Sequence, residues 1–103
     1  MANTQNLFKE NANKVHNILV QEVSSDNFKV IVSQNSTTEH DVTASKDFLN
    51  QFTKYNISPE NIVKHSFEFL LDREPNTSIL RKFDINVISN YFPEYTETIK
   101  EYF

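Results

Sequence analysis

The stretch SPENIVKHSFEFLLDREP, residues 58–75, decides the fold. Ser58 offers an N-cap hydroxyl, Pro59 suits the first helical turn, and Glu60 places an acid at the positive end of the helix dipole. Pro75 bars the α conformation at Glu74, so the helix is predicted to run to about Arg73. Its apolar side chains Ile62, Val63, Phe67, Phe69, Leu70 and Leu71 cover a wide arc, and Lys64, His65, Glu68 and Asp72 fill the remainder. A helix this apolar is the centre of a core, and the rest of the chain must supply what packs on it.

Upstream, the period shortens to two. Phe28, Val30 and Val32 alternate with Lys29, Ile31 and Ser33, the pattern of a half-buried strand. Turn clusters flank it at Ser24–Asn27 and Gln34–Thr37; the second lacks the glycine that a two-residue hairpin prefers, which predicts a longer loop. Thr38–Thr43 then returns as a more polar strand, expected at the sheet edge. Residues 15–23 have two readings. Phe8, Ala12, Val15, Leu19 and Val23 fall near helical spacing, whereas the β-branched Val15, Ile18, Val20 and Val23 favour a strand, and strand is the reading taken. Residues 1–14 are polar and are read as a flexible leader to a single domain over 15–103.

Between the sheet and the core helix, Phe48, Leu49, Phe52 and Tyr55 form one face of a short helix. After Pro75 the chain reads as short helices. Asn76 or Thr77 can cap Ser78–Phe83, Asp84 can cap Ile85–Phe92, and Tyr95, Ile99 and Tyr102 recur at i, i+4 and i+7 in a last one. The expected fold is α+β, a two- or three-stranded antiparallel sheet followed by three to five helices.

Composition narrows the chemistry. The 103 residues contain no cysteine and no glycine and carry a formal charge of −4. Without cysteine there are no disulfides, thiolate metal sites or cysteine nucleophiles. Without glycine there is no Walker or dinucleotide-binding loop. Residues 1–57 hold five basic against six acidic side chains and residues 58–103 five against eight, so neither half has the field that nucleic acid requires. No apolar run is long enough to span a membrane, and no secretory signal is visible at Met1–Lys14, so a cytoplasmic location is expected.

Residues 65–95 resemble a family of small bacterial proteins of unassigned function. The likeness rests on F-x-F-L-L-x-R-E-P at Phe67–Pro75, S-I-L-x-x-F-D at Ser78–Asp84 and Y-F-P-E-Y at Tyr91–Tyr95, with an approximate T-x-H-x-V-T at Thr38–Thr43. The resemblance implies an α+β domain, sheet first and helices after, and implies no activity.

Candidate functional residues are few. Arg73 projects onto the apolar arc near Phe69, where it either clamps the short helices through Glu74, Asp84 or Glu94 or presents a charge to a partner. His65 and Glu68 have the i, i+3 spacing of metal ligands, yet only His40 or His16 could complete such a site, and a solvated face is the simpler reading. No serine sits in a nucleophile elbow, and no carboxylate pair has an evident apolar pocket, so no catalytic residue, cofactor or metal is assigned. The crowded aromatics Tyr91, Tyr95, Tyr102 and Phe103, with Arg73, Glu74 and Arg81, are the interaction candidates. The expectation is a non-enzymatic protein-interaction module that binds a protein partner or itself as a homodimer, through these aromatics or through the Thr38–Thr43 edge. A nucleic-acid-associated accessory protein using Lys64, Arg73, Arg81 and Lys82 is the alternative, and a small metal-dependent hydrolase centred on His40, His65 and Glu68 a third.

Overall fold

The computed structural model describes residues 17–103. The leader expected over residues 1–14, and the first two residues of the 15–23 segment, lie outside the described residues.

Three strands run as an antiparallel meander: β1, Asn17–Ser24; β2, Asn27–Ser33; and β3, Thr37–Thr43. The strand reading of the ambiguous segment therefore holds from Asn17 onward. Lacking glycine, the chain turns from β1 to β2 with Asp26 at φ 69°, and Asn56 takes φ 58° at the end of a 3-10 turn over Thr53–Tyr55. Asp and Asn are the residues that enter this left-handed region at least cost after glycine. Side chains alternate across the sheet as the period demands. Phe28, Val30 and Val32 of β2 and Thr38, His40 and Val42 of β3 are buried on one face, while Lys29 and Glu39 pair at 2.9 Å on the other.

Four short or medium helices follow: α1, Lys46–Asn50; α2, Pro59–Leu71; α3, Ile88–Tyr91; and α4, Tyr95–Thr98. In α2 the Ser58 hydroxyl accepts from the Asn61 amide as predicted, and the helix stops at Leu71, two residues short of the expected end. Its buried face packs across β1 and β2. Short 3-10 turns at Ile85–Val87 and Ile99–Tyr102 continue into α3 and out of α4.

Two expectations need correction. Ser78–Phe83 is not a helix: after a 3-10 turn at Asn76–Ser78 the chain extends, and Lys82–Asp84 forms a fourth strand, β4. It lies parallel to β3 with Asp41, Val42 and Thr43 opposite Lys82, Phe83 and Asp84, so the sheet is mixed, in the order β1-β2-β3-β4. The connection from β3 to β4 runs through α1 and α2, the helical crossover that parallel pairing needs. Thr38–Thr43 is consequently an inner strand, with the Asp41 amide donating to the Arg81 carbonyl at 2.8 Å. The edge strands among the described residues are the eight-residue β1 and the three-residue β4. No helix among them is long and apolar enough to cross a membrane.

Candidate functional site

The segment Asn76–Arg81 separates two environments. Behind it is a saturated polar knot. His40 is fully buried against Phe67, and its Nδ1–H donates to the Leu80 carbonyl at 2.7 Å. That bond makes Nε2 the acceptor in the neutral ring, and the Thr38 hydroxyl donates to it at 2.8 Å. Thr38 Oγ1 in turn accepts from Asn76 Nδ2 at 3.0 Å, and the same amide donates to the Ser36 carbonyl at 2.9 Å. Burial pushes the His40 imidazole below its ordinary value and Arg81 pushes the same way; the Leu80 carbonyl and Asp41 oppose them.

In front of the segment lies a cavity of about 150 Å³. Leu70 from α2, Ile79 and Phe83 from the extended segment, and Ile88 and Phe92 from α3 and its exit wall it with hydrocarbon. Glu74, at the exit of α2, supplies the one carboxylate in the lining. It accepts no hydrogen bond and meets no cation among the described residues. Burial against these walls pushes its carboxyl above the ordinary carboxylate value. Two large apolar side chains stand on the rim in contact with water, Leu80 at 47% and Tyr91 at 66% exposure. A second, larger cavity of about 260 Å³ between the β1–β2 turn and α1 mixes Glu22, Asp26 and Lys46 with apolar groups. No strongly exposed apolar side chain stands at its mouth.

The predicted interaction residues divide. Tyr91 and Glu74 come together at the first cavity, and Arg81 is exposed beside it in sequence. Tyr95 does not belong with them: it is 0% exposed, its hydroxyl hydrogen-bonds Ser66, and burial raises its pKa well above the ordinary phenol value. The helical spacing that puts Tyr95 on one face with the equally buried Ile99 was the signal for this. Tyr102 and Phe103 are half-buried and also turn inward. The Tyr102 hydroxyl donates to Asp72 Oδ2 at 2.5 Å, and the Phe103 ring meets Phe52, Tyr55 and His65 edge-on or tilted.

Arg73 has the geometry of a clamp. Its guanidinium carbon stands 3.6 Å above the Phe69 ring, Nη1 donates to the Phe69 carbonyl at 2.9 Å, and Nε lies 3.5 Å from Glu94. Of the three acids considered, Glu94 is the partner, which ties the end of α2 to the start of α4. His65 and Glu68 bond to each other at 2.7 Å, whereas His40 uses both ring nitrogens inside the core, so these residues form no common site. His16 lies outside the described residues. Among the described residues no three His, Asp or Glu side chains gather as a metal site would need.

Comparison of the chain with protein-family models, with curated proteins and with solved structures finds no match. The functional reading therefore rests on geometry.

Proposed function

We propose that this chain is a non-enzymatic protein-interaction module whose docking point is the cavity rimmed by Leu80 and Tyr91. The supporting observation is the pairing of two exposed large apolar side chains with an apolar cavity directly between them. Partner-binding surfaces concentrate their energy in such places, where an aromatic anchor and a small pocket exclude water together. The cavity is well below the 300–1,000 Å³ typical of small-molecule sites, and suits a single side chain. Arg73 is engaged with Phe69 and Glu94, which removes it from the basic patch that a nucleic-acid reading requires.

A second reading, self-association along β1, is favoured by a specific observation. This outer strand contains neither lysine nor proline to discourage pairing, and Leu19 is 64% exposed on it. A photo-crosslinking side chain placed at Tyr91, at Leu19, and at the exposed Asp47 as control separates the two in cells. Adducts with another polypeptide at position 91 alone are expected. Homodimeric adducts at position 19 alone would replace the first reading with the second, and none at either position would sink both.

A further inference from the structure

We infer that the cavity selects a partner segment carrying an apolar anchor side chain next to a lysine or arginine, the cation seating on Glu74. The inference rests on the docking reading above and adds the chemistry of the occupant. A cavity of about 150 Å³ walled by Leu, Ile and Phe takes one benzene-sized group. A Leu, Met or Phe side chain is that size, so the hydrocarbon walls specify the anchor.

Glu74 specifies its neighbour. The adjacent Arg73 is turned away to Glu94, and no other described side chain compensates the Glu74 carboxylate. Water reaches it now, because the residue is only half-buried. Docking of an apolar group into the cavity removes that water. A carboxylate stripped of water and left unpaired opposes binding, and a carboxylate met by an ammonium or guanidinium does not. The same group therefore rewards a basic neighbour and rejects neutral or acidic ones. In an extended partner the cation belongs two positions from the anchor, and in a helical partner three or four.

A phage-displayed library of random heptapeptides, panned on the full chain at low salt, supplies the test. Selected sequences should pair Leu, Met or Phe with Lys or Arg at one of these spacings. A synthetic copy should lose about tenfold in affinity on Glu74→Gln, as a charge-assisted hydrogen bond predicts. It should lose the same on replacing its own basic residue with Gln, and the two losses should not add. Glu74→Gln keeps the shape of the side chain and relieves a desolvated charge, so its thermal melt should match or exceed that of the parent. Peptides without basic residues, lost on Tyr91→Ala but indifferent to Glu74→Gln, would overturn the charge inference and leave the docking site standing. If no selected peptide is sensitive to Tyr91→Ala, the docking site itself is overturned.

Discussion

Behind residues 76–81, Thr38, His40 and Asn76 answer one another's hydrogen bonds and reach the Leu80 carbonyl. In front of the same residues, the Glu74 carboxylate faces hydrocarbon with no partner among the described residues, and Leu80 and Tyr91 face water. One short segment thus presents a finished interior on one side and an unfinished surface on the other. Buried polar groups that are mutually satisfied hold a fold together. The half-buried Glu74 beside exposed Leu80 and Tyr91 is where we propose that a partner docks. The contrast repeats four residues apart in the chain, where Tyr95 fills the core and Tyr91 projects from it.

Substitutions on the two sides should differ first in size. Tyr95→Ala removes a ring packed between Phe48 and Phe69 and should cost about 4 kcal/mol, a large share of the stability of a domain this size. Tyr91→Ala should stay within about 0.5 kcal/mol of the parent in urea denaturation. Equal losses for the two would erase the distinction between core and rim.

Asn76→Ala should cost about 2 kcal/mol, because Thr38, the Val32 carbonyl of β2 and the Ser36 carbonyl of the β2–β3 loop lose their donor inside the protein. Arg73→Gln should cost about 1 kcal/mol through the lost contact with the Phe69 ring and the partly exposed Glu94 pair. An unchanged melt for Arg73→Gln would show that the clamp contributes nothing and would free the residue for a surface role.

Acid sharpens the comparison, since the two sides respond with opposite sign. His40 has its folded pKa lowered from 6.5, so the unfolded chain binds the proton more readily. Its contribution to stability is present above about pH 6.5 and declines as the pH falls below that toward the folded value. Protonation would also leave Nε2–H facing a Thr38 hydroxyl that already accepts from Asn76. Glu74 has its folded pKa raised, so its burial opposes folding above that value and the penalty fades as acid neutralises it. Thermal melts across pH should therefore show Glu74→Gln slightly stabilising at pH 7 and neutral once the pH lies below 4.5, the ordinary value. A pH profile of stability that is flat from 7 to 5 would contradict the buried, neutral His40.

The parts of this architecture written locally in the chain were legible in it. Ser58, Pro59 and Pro75 bracket α2, and the alternation of Phe28, Val30 and Val32 marks β2. What was not legible depends on partners far away in sequence. Lys82–Asp84 is too short to show a period of two, and its strand character comes from pairing with Asp41–Thr43, about forty residues earlier. His40 stands between Glu39 and Asp41, neighbours that in the sequence alone suit an exposed position. Alternation places it on the inner face, where Leu80 and Thr38 take both its nitrogens. For the candidate site, aromatic crowding pointed to the segment that holds Tyr91 and Tyr95 but could not sort the two. The break at Pro93 sets the rotation of Tyr91 against Tyr95, and only the packed chain shows which of them the core absorbs.

The most direct measurement is an amide chemical-shift titration of the ¹⁵N-labelled chain with a capped Phe-Gly-Lys peptide. Saturable shifts are expected to gather at Glu74, Leu80, Tyr91 and Phe92, and to disappear when the lysine is replaced by norleucine. Shifts confined to Asn17–Ser24, or spread over the surface without saturation, would contradict the claim that this cavity is where the molecule meets its partner.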